Sequence, residues 1–179
     1  MEPTEDIKPT GVLGIQLRKV SELLADSRTF QQRCGISDDA TPTGVGAARA
    51  AAFAKIKYPF LRFRTPAEWE AYYGGIPGPA GVIEAETCEW GVKRTLGAVH
   101  LRVLLVDIDR HPMNAEASLT DFLNFMEGVF REFSEQYSAI GLPIPRVSYI
   151  MPCLDNSKRR GNDGGWWLGG ADLEWEPLL

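Results

Sequence analysis

The sequence predicts a single α+β domain, with a mainly antiparallel sheet of about four or five strands packed by an N-terminal helix and by a long helix near residues 119–140. Apolar residues recur at helical spacing in both helical regions. Several other segments have the alternating or continuously apolar pattern of β-strands. Two of these segments are separated only by a short break at Gly91, which favours an antiparallel pair.

The composition is that of one globular domain without a membrane span. A chain of 179 residues, 44% hydrophobic and 24% charged, can bury one core, and two domains would be cramped. The formal charge of −5 argues against general nucleic-acid binding, which needs an excess of Lys and Arg. No apolar run reaches about 18 residues, and the acidic start lacks the features of a signal peptide. We therefore expect a cytoplasm-like compartment, in which the widely spaced Cys34, Cys88 and Cys153 stay reduced.

The N-terminus is predicted to differ from the rest of the chain. Residues 1–10 hold two prolines and three acidic residues with almost no apolar content, which predicts a flexible arm. The single α+β domain is then expected to span residues 11–179. It begins with an amphipathic helix, because four apolar residues recur at helical spacing. These residues are Leu13, Leu17, Val20 and Leu24.

Shorter elements are predicted between the first helix and the main strands. Ser27 can recap the chain before a short turn that carries Phe30, and Gly35 can end this turn. The alanine-rich stretch predicts a helix over residues 47–56. The remaining predictions in this region are an edge strand over residues 58–64, one or two helical turns over 65–73, and a loop over 74–81.

Two strands of a meander are predicted over Val82–Trp90 and over residues 95–109. In the second strand both faces are mainly apolar at the centre, so we expect a central strand that is covered on both sides. One face carries Val99, Leu101, Val103, Leu105 and Asp107, and the other carries His100, Arg102, Leu104, Val106 and Ile108.

A long amphipathic helix follows these strands. Ser118 and Asp121 form a variant of the capping box at its start, and Gly141 and Pro143 end it. Its apolar stripe needs a sheet to cover it. The stripe consists of Phe122, Leu123, Met126, Val129, Phe130, Phe133, Tyr137 and Ile140.

Two further strands are predicted over Arg146–Met151 and Trp166–Trp175. In the last strand, Gly169 and Gly170 interrupt the apolar positions, which suggests a bulged or sharply twisted strand. Adjacent tryptophans in a strand point to opposite faces, so Trp166 and Trp167 can both be core only if this strand is covered twice. Otherwise one of them serves an interface, where Trp is enriched.

The loop between these two strands carries a basic tip. Lys158, Arg159 and Arg160 can contact an acidic partner, a phosphate or a neighbouring subunit, and we include them with the two tryptophans as candidate interface residues. An ordinary flexible loop is the alternative interpretation.

The strongest candidate for a chemical site is the group Asp107, Asp109 and His111. Two carboxylates one residue apart on a strand, followed by an imidazole, could hold a divalent metal. The alternative is a strand that leaves the core and becomes solvated before Pro112, with the Asp residues supporting a turn. A second group combines Asp107 with Glu84, Glu86, Glu89 and Lys93, a set loosely like that of metal-dependent nucleases, but its simplest role is a solvated polar face.

We predict that the chain is not an enzyme and needs no cofactor or metal. Only His100 and His111 could serve as imidazole bases, and His100 lies within a predicted strand. No nucleophile elbow, Walker motif or dinucleotide-binding fingerprint is present in the sequence. We therefore assign no catalytic, cofactor-binding or metal-binding residues.

The order of predicted elements resembles that of the tail terminator (tail completion) proteins of long-tailed bacteriophages. The resemblance spans about residues 11–176 and rests on the leading helix that ends in LADSRTFQQRCG, the long helix after VLLVDIDR, and the closing strand that ends in LGGADLEWE. Residues 44–56 and 65–81 look like insertions relative to that family. No family site residue can be carried over to a position of this chain.

The resemblance implies a structural virion protein of the tail and neck, assembled in the host cytoplasm. Such a subunit forms a homo-oligomeric ring, commonly a hexamer, that caps the tail tube and contacts the head-completion or neck proteins. DNA would pass through the ring without specific binding. The alternatives are a head-completion or neck connector subunit, a metal-dependent hydrolase or nuclease that uses Asp107, Asp109 and His111, and a cytosolic adaptor.

Overall fold

The computed structural model describes residues 12–58, 78–90, 96–139, 144–155 and 165–175, and these form four helices and one five-stranded sheet. The predicted α+β class is confirmed. The helices are α1 (Val12–Asp26), α2 (Arg28–Arg33), α3 (Pro42–Phe53) and α4 (Ala115–Ala139). The strands are β1 (Ile56–Lys57), β2 (Ala80–Trp90), β3 (Leu96–Ile108), β4 (Arg146–Asp155) and β5 (Trp166–Trp175).

The sheet has the strand order β1-β2-β3-β5-β4 and is antiparallel except for the pair of β1 and β2. The predicted meander of β2 and β3 is confirmed. Strand β5 does not pair only with its sequence neighbour, because it inserts between β3 and β4. The central strand is therefore β3, and β4 lies at one edge of the sheet.

The sequence predicts a bulged or sharply twisted β5, and β5 has no bulge; in its pairing with β4, the irregularity lies in β4. Strand β5 pairs with β3 without a register shift, from Val99 opposite Trp175 to Ile108 opposite Trp166. On the other side, the register shifts between Ile150 and Cys153 of β4. Because β4 contains Pro152, which cannot donate a backbone hydrogen bond, this strand is the one that accommodates the irregularity.

Both faces of β3 are buried, as predicted. On one face, Leu101, Val103 and Leu105 pack in the main core with residues of α1, α2 and α4. We call this the helix face. On the opposite face, Leu104 and Val106 belong to a second buried cluster, whose other members are Ala80, Val82, Trp166 and Leu168. Trp167 belongs to the main core, so the two adjacent tryptophans point to opposite faces of the sheet, as predicted.

Helix α4 begins four residues earlier than its predicted start, and the predicted capping box is wrong. Asn114 caps the helix, because its side-chain oxygen accepts a hydrogen bond from the backbone of Ala117 at 3.0 Å. Ser118 is buried and bonds to Asp109, and Asp121 pairs with Arg33. Both predicted capping side chains are thus used in tertiary contacts.

The apolar stripe of α4 covers the helix face of the sheet, as its periodicity predicts. Phe122 stacks on Trp167 of β5, with ring centroids 5.5 Å apart and an interplanar angle of 18°. Leu123 is only partly buried against the core, Phe125 is an additional buried member, and Ile140 lies outside the described residues. The buried members of the predicted stripe are Phe122, Met126, Val129, Phe130, Phe133 and Tyr137.

Helix α2 is short and depends on contacts at its N-terminus. Ser27 caps it by accepting a hydrogen bond from the backbone of Phe30 at 3.1 Å, as predicted. The Glu132 carboxylate of α4 accepts two further hydrogen bonds from α2. The Thr29 hydroxyl donates one at 2.6 Å, and the Thr29 backbone N–H donates the other at 3.2 Å. The chain then turns at Gly35, which has a φ of +71° and ends the helix as predicted.

The predicted bounds of one helix and of one loop need correction, and the predictions for the two segments between them lie wholly or almost wholly outside the described residues. The helix expected over residues 47–56 begins at Pro42, because Thr41 caps it and Pro42 suits the first helical turn. It ends at Phe53, and Ile56 begins β1. The loop expected over residues 74–81 ends earlier, since β2 begins at Ala80. The predicted strand 58–64, apart from Tyr58, and the turns over 65–73 lie outside the described residues.

No described helix is both long and apolar enough to cross a membrane.

Candidate functional site

The predicted chemical residues lie where β3 ends between two helices. Asp107 lies near the end of β3, and Asp109 follows just beyond it. Arg33 is the last residue of α2, and Asp121 lies in the second turn of α4. We call this group, together with Ser118 and Arg110, the β3 corner. Its hydrogen bonds and ion pairs connect α2, β3 and α4, and its geometry decides what the two carboxylates can do.

Asp107 is fully buried and surrounded by hydrogen-bond donors. One of its oxygens accepts hydrogen bonds from the guanidinium groups of both Arg33 and Arg110, and the bond from Arg110 is 3.1 Å long. Its other oxygen accepts from the backbone N–H of Ile108 at 2.8 Å. A buried carboxylate needs this kind of compensation, because the loss of hydration is costly unless charge and hydrogen bonds replace it.

Arg33 links the strand to the long helix. Besides Asp107, it binds Asp121 through both terminal nitrogens, at 3.0 Å and 2.5 Å, and its guanidinium lies 5.1 Å from the centre of the Phe125 ring. Burial opposes the charge of Arg33, but hydrogen bonds and charges from Asp121 and Asp107 outweigh it and raise its pKa. The Arg33 side chain is 12% exposed and that of Asp121 is 29% exposed, so this bidentate pair is partly desolvated.

The same pairing changes the acid–base behaviour of Asp121. The hydrogen bond from Arg33 lowers the pKa of this carboxyl below its ordinary value. A carboxyl whose pKa is lowered in the folded state stabilises the fold at neutral pH. That contribution is lost as the pH falls through the pKa of the folded state.

Asp109 belongs to a second chain of hydrogen bonds. One of its oxygens accepts from the Ser118 hydroxyl at 2.6 Å and from the backbone N–H of His111 at 2.9 Å. The Ser118 oxygen accepts in turn from the indole nitrogen of Trp167 at 3.0 Å. The backbone N–H of Asp109 donates to the carbonyl of Gly165 at 2.7 Å. This network ties the first turn of α4 to the start of β5.

The three residues of the predicted metal group therefore have separate roles in this structure. Asp107 and Asp109 point toward the helices, as strand alternation predicts, but each accepts hydrogen bonds from protein groups. His111 is exposed and approaches Asp109 through its backbone. Across the part of the chain that the structure describes, no three His, Cys, Asp or Glu side chains lie close enough together to hold a metal ion. The hydrogen bonds and ion pairs of the β3 corner connect α2, β3 and α4.

The second predicted acidic group is divided by the sheet. Glu84 lies opposite Arg102 in the register of β2 and β3, on the face away from Asp107. Arg102 also forms an ion pair with Asp172 of β5 at 2.9 Å. Glu84, Arg102 and Asp172 therefore lie in one row across three neighbouring strands. The side chains of Glu86 and Glu89, and all of Lys93, lie outside the described residues.

Cys34 does not have the environment of an activated nucleophile. The thiol of Cys34 donates to the carbonyl of Pro79 at 3.6 Å, and burial raises its pKa to about 11. A thiol with such a pKa is protonated at neutral pH, whereas nucleophilic cysteines are thiolates. Cys153 is exposed on β4.

One edge of the sheet is exposed along β4, a strand that the sequence does not identify as the edge. Three exposed residues alternate along β4: Tyr149, Met151 and Cys153. We call them the β4 edge. Among the described residues, β4 pairs only with β5, so its other side has no strand partner there. The signal in the sequence is VSYIMPCL, an uncharged stretch between Arg146 and Asp155.

The predicted interface residues are only partly described. Lys158, Arg159 and Arg160 lie outside the described residues. Trp166 and Trp167 are buried, at 4% and 7% exposure, and contribute to the two cores of the subunit. The interface role proposed for these five residues stays a prediction.

No family model matches the sequence, and no curated protein matches it either.

Proposed function

We propose that this chain is a structural subunit that assembles with copies of itself into a ring, with the role of a tail terminator at the end of a phage tail tube. In this role it caps the finished tube and binds the head-completion or neck proteins. The element order of the sequence suggests the role, and the observation that carries the assembly step is the β4 edge.

An open apolar strand edge favours pairing with another chain. Met151 is 75% exposed and Tyr149 is 51% exposed, and no charged residue lies between Arg146 and Asp155. Natural proteins usually protect exposed edges with charges, prolines, bulges, short strands or covering segments, because backbone donors and acceptors there can template association. In β4, Pro152 and the adjacent bulge interrupt only part of the strand, and the first half of the strand pairs with β5 in regular register. An edge with this composition is expected to be covered in the functional assembly.

The two edges of the sheet are unlike, which favours a ring. Among the described residues, one edge is the ten-residue strand β4, and the other is the two-residue strand β1, which is parallel to its neighbour. A β4 edge that binds a different surface of the next subunit makes a head-to-tail contact. Such contacts repeat with a constant rotation and close into a ring when the rotation divides a full turn.

The β3 corner suits a subunit whose shape must be maintained in an assembly. Its ion pairs connect three elements on the helix face, and the long helix α4 covers the sheet behind them. The net charge of −5 also fits a ring through which DNA passes without being held, because like charges repel. A head-completion or neck subunit would share these properties, and localisation in assembled virions by electron microscopy separates the two roles.

Met151→Lys is expected to prevent or weaken self-assembly. A lysine at this exposed position is solvated in the monomer, so the fold should change in stability by less than about 0.5 kcal/mol. In an apolar interface the same charge would be buried without a partner, which is strongly unfavourable. Native mass spectrometry and analytical ultracentrifugation at matched concentrations measure the loss of the oligomer.

Val45→Lys is the matched control for this substitution. Val45 is also an exposed apolar residue, at 54%, but it lies on α3, which precedes the opposite edge of the sheet. We expect Val45→Lys to assemble like the wild type. Equal assembly of Met151→Lys and the wild type would contradict the proposed role of the β4 edge.

A further inference from the structure

Two polar atoms in the main core have no hydrogen-bond partner among the described residues. They are the hydroxyl oxygen of Tyr137 and the indole nitrogen of Trp175. The two residues are only 1% and 5% exposed, so neither atom is solvated from the surface. Buried tyrosine and tryptophan side chains usually place their polar atoms against an acceptor, and each exception needs a physical explanation.

The rings that carry these two polar groups lie next to each other in the core. Tyr137 is in the last turn of α4, Trp175 ends β5, and their ring centroids are 6.0 Å apart with an interplanar angle of 58°. Burial alone raises the pKa of Tyr137, so this hydroxyl stays protonated and can donate. The end of α4 also supplies carbonyl groups that the helix itself cannot pair.

We propose that Tyr137 and Trp175 form a buried binding site for one water molecule that joins the end of α4 to the end of β5. A water molecule is small enough for a site this deeply buried, and its oxygen can accept from both the hydroxyl and the indole N–H. The water molecule can then donate its two hydrogens to acceptors such as the terminal carbonyl groups of α4. The water thereby pairs two polar groups that would otherwise weaken the core.

Tyr137→Phe tests this site, because it removes the hydroxyl and leaves the ring. If the hydroxyl is paired through the water, the unfolding equilibrium constant rises by about fivefold, the effect of losing one ordinary hydrogen bond. Tyr58→Phe is the matched control: Tyr58 is 47% exposed and lies outside the core, and its loss of a hydroxyl should change the constant by less than about twofold.

A high-resolution crystal structure of the wild-type protein provides the second readout. The expected result is density for one water within about 3 Å of both the Tyr137 oxygen and the Trp175 indole nitrogen. An unchanged or smaller unfolding constant for Tyr137→Phe would overturn the proposal. So would a crystal structure in which a protein group, or nothing, occupies hydrogen-bonding distance from these atoms.

Discussion

Arg33→Met is expected to destabilise the fold by about 3–5 kcal/mol, the range measured when one partner of a buried ion pair is removed. The substitution keeps much of the aliphatic volume but leaves Asp107, which is fully buried, with Arg110 as its remaining cationic partner among the described residues. Asp121 loses its bidentate partner at the same time. Urea denaturation followed by circular dichroism measures the change in the free energy of unfolding.

Two further variants show whether the effect comes from buried charge. Arg18→Met removes a pair with Glu22 in which both side chains are well exposed, at 42% and 38%, so it should cost less than about 1 kcal/mol. Combining Arg33→Met with Asp107→Asn removes the uncompensated charge and should recover part of the loss. If Arg33→Met cost no more than Arg18→Met, the β3 corner would not be the junction described here.

Gly170→Ala is expected to destabilise the protein by about 3 kcal/mol, because a side chain has no room at the centre of the sheet. A Cβ atom on Gly170 would collide with the carbonyl oxygen of Val103 and lie 2.9 Å from the Cα atom of Leu104. These are backbone atoms of the central strand, so they cannot move aside by changing a rotamer. Thermal and urea denaturation measure the loss of stability.

Gly46→Ala is the matched control for the loss of a glycine. Gly46 is exposed in the middle of α3, and a Cβ there meets no atom within 4 Å. Alanine favours helix over glycine, so this variant should be more stable by roughly 0.5–1 kcal/mol. A neutral Gly170→Ala would mean that β5 and β3 do not approach each other as closely as the structure has them.

The helices and main strands could be predicted because their periodicity is local. The stripe of α4 and the two apolar faces of β3 are visible in the sequence, and both elements are confirmed. The start of α4 was misplaced because Ser118 also fits a cap, whereas Asn114 performs that role. The Gly169-Gly170 pair suggests a bulge or a sharp twist, but β5 has no bulge, and at Gly170 the absence of a side chain permits close packing against β3.

The site could be predicted only in part, because its partners are distant in the sequence. Asp107 and Asp109 were recognised as unusual carboxylates, but Asp107 pairs with Arg33, which is 74 residues away. No local pattern identifies such a partner, and the carboxylates were therefore considered as metal ligands. The β4 edge could not be predicted for the same reason. Its exposure follows from the insertion of β5 between β3 and β4, and no local sequence pattern indicates this topology.

Electron cryomicroscopy of the purified protein at high concentration tests most directly whether the chain assembles through β4. We expect closed rings in which Tyr149 and Met151 of each subunit are covered at the boundary with the next subunit. Monomers that persist at high concentration, or rings whose boundaries leave β4 exposed to solvent, would contradict the proposal.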